Sequence, residues 1–474
     1  MHVPVVVLGG GPGGYAAAFL AADLGMQVAL VERDERLGGT CLLRGCIPSK
    51  ALLHVGRVLS ESREMEEWGI RFDKPSIDVA ALRARKDKVI GALTGGLSQL
   101  ARRRNVTMVS GAARFVNSTT LEVSPAGGGD RQRITFDHCI LASGSRPARI
   151  PAFDIGSPRV MDSTGALELA DVPESLLVVG GGYIGLEMGT VYAELGSKVS
   201  VVELTDTLLP GADRDLVKPL QKRLEGLFES IMLRTKVVKL EEAKNAVRVT
   251  FEAADGQTTR EFSRVLVAVG RRPNSDNLGL ETTKVVVNAK GFVEVDDQQR
   301  TADPHILAIG DVCGEPMLAH RASHQGKVAV EVLHGEAAVF APRAIPAVVF
   351  TDPEIAWAGL TENEATAAGR SVEVSKYPWA ASGRAHALGR TDGLTKMLVD
   401  PETDTVLGVG IVGPGAGELI AEGVLAIEMG CSARDLMESI HPHPTLGETM
   451  AFSAENYFGV ATEIYRPKAD GGGR

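Results

Sequence analysis

One stretch of this sequence is written twice, and a chain that repeats it has few folds open to it. "VVVLGGGPGGYAAAFLAADLGMQVALVE" (5–32) aligns without a gap on "LLVVGGGYIGLEMGTVYAELGSKVSVVE" (176–203). Each copy reads as a short strand buried on both faces, a glycine turn, a helix ending at Leu-Gly, and a second strand ending in Glu. The glycines are placed for a dinucleotide. Gly9 and Gly180 stand at the tight turn, Gly11 and Gly182 leave a pyrophosphate room to approach, and Gly14 and Gly185 let helix and strand pack closely. The helix N-terminus then offers free N–H groups and a positive dipole to phosphates. Glu32 and Glu203 supply carboxylates for ribose hydroxyls. A lone pattern of this kind also arises in purely structural turns. Two copies, each with the acid at the same distance, point to two bound dinucleotides. After Glu203 comes "LTDTLLP", with no Arg or Lys for a 2′-phosphate, which favours NAD over NADP at the second site.

The expected fold class is therefore α/β, with two Rossmann-like dinucleotide-binding domains, over 1–150 and 151–270. From 51 to about 103 the text is helical and charged, an insertion of long solvated helices, and "ARRRN" (101–105) reads as a helix end. "FDHCILASGSRP" (136–147) and "FSRVLVAVGRRPN" (262–274) form a second related pair, each a closing strand that enters a glycine turn with Arg-Pro. A third such strand, "HILAIGDVCG" (305–314), ends at Gly310-Asp311, where an Asp can reach a polyol chain or simply serve a turn. The segment 271–345 thus returns to the first domain. From about 346 the texture changes to alternating strands and one amphipathic helix or helix pair, "AGELIAEGVLAIEMGCSARDLMESI", a separate α+β domain running to 474.

The bulk numbers exclude other classes. The formal net charge is -10, which gives no electrostatic reason to expect nucleic acid or an anionic membrane. No apolar run is long enough to span a bilayer, and the first residues lack the basic and apolar regions of a signal peptide. The terminal "KADGGGR" reads as a frayed tail. Five cysteines in 474 residues make no disulfide framework and fit a reducing compartment, so the expected location is cytoplasmic.

Two of those cysteines, in "GGTCLLRGCIPSK" (38–50), raise the chemical question. A metal site is poorly served by C-x4-C without a second Cys/His cluster, and no metal is expected. Buried, inert thiols are the ordinary reading for Cys139, Cys313 and Cys431. For Cys41 and Cys46 the context differs. They follow Gly38-Gly39, Pro48 suits a first helical turn, and Lys50 is near enough to stabilise a thiolate. In a regular helix, positions five apart lie beyond disulfide reach, so a bridge requires an irregular stretch, which Gly45 permits.

That stretch resembles the redox-active disulfide motif of the pyridine nucleotide-disulfide oxidoreductases, flavoenzymes of the glutathione reductase type, and the likeness covers essentially the whole chain. "CIPSK", "YPWAASGRA" and "HPHPTLGE" are most similar to the branch that oxidises dihydrolipoamide. The resemblance implies FAD at the first site, on Gly9, Gly11, Gly14 and Glu32, with Thr40, Lys50, Ala113, Asp311 and Ala319 around the rest. It implies NAD on Gly180, Gly182, Gly185, Glu203 and Gly270. Tyr183 and Glu187 would then lie near the nicotinamide, with Glu187 paired to Lys50. Cys41 would meet the substrate and Cys46 would stand next to the flavin. His443 would be the base, oriented by Glu448, and would act on the disulfide of the other subunit, so that 346–474 forms the interface of a homodimer. The implied partners are lipoyl domains of a 2-oxo acid dehydrogenase or glycine cleavage complex. The family usually has Asn-Val where this chain has Leu43-Arg44, which puts a cation beside the pair unless Arg44 points to solvent. The rivals are a reductase of another disulfide on the same scaffold and a non-catalytic flavoprotein subunit. The intact Cys41, Cys46, His443 and Glu448 argue against the second.

Overall fold

Both copies of the repeat fold as their apolar runs and glycines require. In the computed structural model, which describes residues 1–125 and 127–465, His2–Leu8 and Val28–Glu32 pair in parallel around the helix Pro12–Asp23. Ser175–Val179 and Lys198–Val202 do the same around Tyr183–Leu195. The "KADGGGR" tail lies outside the described residues. Every residue of Val28–Glu32 is buried, as for a parallel strand covered on both faces.

The first sheet runs Thr107–Ser110, Val28–Glu32, His2–Leu8, Gln132–Leu141, Thr120–Ser124, Ala112–Asn117. Ile306–Ala308 adds in parallel to the far half of Gln132–Leu141, which carries Asp311 to the sheet's C-terminal edge. The second sheet runs Ser230–Met232, Lys198–Val202, Ser175–Val179, Arg264–Val267, Val160–Met161, all parallel. An antiparallel meander, Lys236–Glu242, Val247–Ala253 and Gly256–Phe262, precedes its closing strand. The duplication therefore extends past the glycine motif, since the first unit also places an antiparallel meander between its third strand and its close.

The copies differ in one crossover. Between second and third strands the later unit has a single helix, Arg214–Leu227. The earlier unit has three, Gly39–Arg44, Cys46–Glu64 and Val79–Arg103, and both cysteines of the motif lie there. The long helices are solvated on their outer faces, but Ile90, Thr94 and Ala101 are buried. Lys86 is buried as well and donates from Nζ to the carbonyl of Leu167 at 2.9 Å, which ties the insertion to the second unit. Arg102 and Arg103 close the last turn of Val79–Arg103, where cations suit the helix dipole. The two Arg-Pro turns meet each other, as Ser145–Pro147 pairs antiparallel with Arg271–Pro273.

The C-terminal region is an antiparallel sheet, Ala347–Val349, Ile355–Gly359, Val406–Val412, Leu394–Val399, Glu373–Pro378. Its long amphipathic stretch resolves into two helices, Ala416–Met429 and Ala433–Glu438, and Glu448–Phe458 follows. Trp379 is fully buried, and its ring fills the space that a Cβ at Gly393 or Gly413 would take, at 2.3 and 2.1 Å. Lys396, 1% exposed, reaches from this sheet to Asp213 at 2.7 Å, Asp215 at 3.0 Å and Glu362 at 2.6 Å. Asp213 and Asp215 belong to the second unit, so one buried ammonium joins two parts of the molecule. Lys396→Met leaves three carboxylates crowded with no buried cation between them. It is expected to destabilise the protein by about 3 kcal/mol, read as a lower urea midpoint. Among the described residues no helix is long and apolar enough to cross a membrane.

Candidate active site

A break in one helix brings the two cysteines together. Gly39–Arg44 stops at Gly45 and a new helix begins at Cys46. A Cβ at Gly45 would lie 2.8 Å from the carbonyl oxygen of Thr40, so the reversal is tight enough to favour glycine. The thiols are hydrogen-bonded to each other. That bond sets their acidities apart. The pKa of Cys46 is lowered to about 7, by the hydrogen bond from Cys41 and then by the charge of Lys50. Cys41 is pushed up by the same bond, by burial and by the negative charge of its neighbour. One thiolate is favoured, and it rests on Cys46 at the start of a long helix.

Lys50 stands one turn further along. Its Nζ donates to both carboxylate oxygens of Glu187, at 2.9 and 2.8 Å. Glu187 is buried and also accepts the backbone N–H of Phe350 at 3.0 Å. The Phe350 ring lies 4.4 Å from the ammonium. The first unit, the second unit and the C-terminal region thus converge on one ion pair, and sequence reading had no signal for Phe350.

A cavity of about 600 Å³ runs from the first glycine turn past both thiols to this pair. Gly9, Gly11, Glu32, Thr40, Lys50, Ala113, Asp311 and Ala319 line it, while Tyr183 and Glu187 reach it from the second unit. Gly14 packs behind the turn. At φ +113 Gly9 makes a turn where a Cβ would fall 2.3 Å from the carbonyl oxygen of Ala142, and a Cβ at Gly14 would fall 1.8 Å from that of Gly9. Gly11 has only Gly39 near its open side. The second copy repeats this: Gly180 has φ +110, a Cβ at Gly185 would fall 2.2 Å from the oxygen of Gly180, and Gly182 faces open space. The acids agree too. Glu32 accepts the N–H groups of Gly10 at 2.5 Å and Asp34 at 2.9 Å, and Glu203 accepts those of Gly181 at 2.7 Å and Thr205 at 2.8 Å. Each carboxylate is fixed by its own turn, ready for a ribose. Gly180, Gly182, Gly185, Glu203 and Gly270 lie outside the 600 Å³ cavity, on the second unit. Both cradles fit a dinucleotide: bare backbone where a pyrophosphate must approach, and an oriented acid beside it.

Two further residues escaped the sequence reading. Ser145 donates to Asp311 at 2.5 Å, and Arg271, on the short strand that follows the second unit, donates to the Ser145 hydroxyl and carbonyl, both at 2.8 Å. The signal was the paired Arg-Pro turns. Arg44 neither points to solvent nor serves the thiols: its guanidinium is held by the carboxylate of Asp34. The cation that acts on Cys46 is Lys50.

His443 lies elsewhere in its own chain. Its Nδ1 is 2.8 Å from the buried carboxylate of Glu448, whose other oxygen accepts the N–H of Thr445 at 2.8 Å. The ring is 77% exposed and does not line the cavity. With Nδ1 engaged, Nε2 is turned outward to take a proton. His441 has both ring nitrogens occupied, by Ser439 and Glu422. Cys139 and Cys313 are raised by burial, as inert packed thiols are.

Comparison with known proteins places the chain in a family. Residues 3–326 match the family model described as pyridine nucleotide-disulphide oxidoreductase, and 345–454 match that family's dimerisation domain. A curated relative from Vibrio parahaemolyticus named dihydrolipoyl dehydrogenase is 49% identical over 98% of both chains. LpdA from Mycobacterium tuberculosis has a similar solved structure, with TM-score 0.89 and 27% identity over 96% of this chain and 100% of that one. RclA, an HOCl-induced flavoprotein disulfide reductase from Escherichia coli solved as a Cu(II) complex, gives TM-score 0.86 and 28% identity, over 96% and 99% of the two chains.

Proposed function

The chain belongs to the pyridine nucleotide-disulphide oxidoreductase family, and from that premise we propose how its residues carry out the oxidation of dihydrolipoamide to lipoamide with NAD+ as acceptor. The enzyme uses FAD and NAD. One observation carries the reading: two hydrogen-bonded thiols, on either side of Gly45, face a cavity shared with Glu32 and the Lys50–Glu187 pair.

Gly9, Gly11, Gly14 and Glu32 would hold the ADP part of FAD, with Thr40, Lys50, Ala113, Asp311 and Ala319 along the rest. Gly180, Gly182, Gly185, Glu203 and Gly270 would hold NAD, with Tyr183 and Glu187 between the two. Bound FAD supplies the two-electron link between the protein dithiol and NAD+. The residues do the sulfur and proton chemistry. With Cys41 and Cys46 as a disulfide, Nε2 of His443 takes the proton of one substrate thiol, and Glu448 holds the imidazolium that forms. The substrate thiolate attacks Sγ of Cys41. An S–S bond forms to substrate, and Cys46 leaves as the thiolate that its low pKa and Lys50 favour. The second substrate sulfur loses its proton to solvent, attacks the first, and closes lipoamide. Cys41 leaves and recovers a proton from His443. Substrate is oxidised by two electrons and the protein disulfide is reduced by two.

The protein is a homodimer through the matched dimerisation domain. Because His443 stands outside its own cavity, we assign it to the cavity of the partner subunit. The domain reading that goes with this is 1–150 with 271–345 for FAD, 151–270 for NAD, and 346–474 for the interface. The substrate is carried on lipoyl domains of a 2-oxo acid dehydrogenase or glycine cleavage complex, in the cytoplasm, where unbridged thiols such as Cys139 and Cys313 persist.

Anaerobic titration of the holoenzyme with dihydrolipoamide tests the reading. A long-wavelength thiolate-to-flavin band at two electrons, cleared by NAD+ with NADH formed, is the expected result. Reduction by NADH without any response to dihydrolipoamide would assign the site to another disulfide substrate.

A further inference from the structure

We infer that Arg44 and Asp34 form a clasp over the ribose–pyrophosphate part of bound FAD, so that Arg44, although it lies between the two cysteines, retains the cofactor and does not tune the thiols. The inference rests on FAD occupying the first glycine turn. Arg44 ends the helix that carries Cys41, and Asp34 lies two residues past Glu32 at the end of the ribose strand. Their side chains form an ion pair, and both residues line the cavity. The pair joins two segments that line the cavity, the stretch just after the ribose strand and the helix that carries Cys41. On one side, Glu32 is fixed by the N–H of Asp34 itself and by Gly10. On the other, the helix of Arg44 begins at Gly39, which packs so close to Gly11 that a Cβ there would fall 2.6 Å from its Cα. A dinucleotide that touches Glu32 and Gly11 and reaches Cys46 must thread the space these segments line. The side chains are 33% and 25% exposed, so solvent reaches the bridge and it can open.

The experiment measures FAD release from holoenzyme, by recovery of flavin fluorescence after dilution. Arg44→Val, which installs the usual family residue, and Asp34→Asn are each expected to speed release roughly fivefold. The double variant should be no faster than either single one, and the exchange of both (Arg44→Asp with Asp34→Arg) should slow release again. This rescue separates a clasp from misfolding. Faster release in Arg44→Val alone, with Asp34→Asn unchanged, would overturn the clasp in favour of direct contact with the ligand. Glu32→Gln serves as the reference. If it speeds release while Arg44→Val does not, the clasp fails and the FAD placement stands. If neither changes release, the placement fails and the clasp with it.

Discussion

Cys46→Ser is expected to abolish dihydrolipoamide turnover, by at least about a thousandfold, while FAD stays bound and the dimer intact. The reason lies in the leaving group. In the proposed exchange Cys46 departs as a thiolate, and the structure lowers its pKa to about 7. A serine hydroxyl forms no disulfide and does not depart as an anion near neutral pH. Nothing in the glycine cradle or around Glu32 depends on that sulfur, so NADH oxidation by an artificial acceptor should persist. The intact enzyme adds a pH test. A thiol is ionised above its pKa, so the thiolate band of the two-electron-reduced enzyme should be full at pH 8 and fade as the pH falls through about 7. A band unchanged down to pH 5 would show that flavin and Lys50 hold the thiolate far more strongly than the free protein does. Normal turnover in Cys46→Ser would sink the redox role itself.

What was legible in the sequence shares a physical character. The duplicated strands and helices follow from local apolar period and glycine placement, and Gly9, Gly14, Gly180 and Gly185 each meet backbone where a Cβ would collide. The need for a break between Cys41 and Cys46 follows from helix geometry, and Gly45 provides it. What stayed hidden depends on partners far apart in the chain. Phe350 meets Glu187 across 163 positions, and Arg271 meets Ser145 across 126. Arg44 showed as a cation near two thiols, because sequence distance placed it there. In the fold its side chain turns back to Asp34, ten positions earlier, in the bend after the ribose strand. The same holds for Lys396, which reads as a strand residue and serves as a buried joint with Asp213.

The second large effect concerns which chain supplies the base. His443→Gln is expected to lower dihydrolipoamide turnover by about 10²–10⁴-fold, and NADH oxidation by an artificial acceptor should change little. Glutamine keeps a polar side chain of similar reach but takes no proton, so the loss falls on deprotonation of the incoming thiol. Glu448→Gln should lose less, since Nε2 remains while the anion that steadies the imidazolium is gone. The decisive version mixes two inactive proteins. Equal amounts of His443→Gln and Cys41→Ser chains, unfolded and reassociated with FAD, give half their dimers as hybrids. If the base reaches across the interface, each hybrid holds one site with both cysteines and an intact His443 from the other chain, and one site with neither. Turnover should then recover to about a quarter of the wild-type rate. If the base acts within its own chain, every site in every dimer lacks one component and nothing recovers. The exposed ring of His443, outside its own cavity with Nδ1 already committed to Glu448, leads to the first outcome.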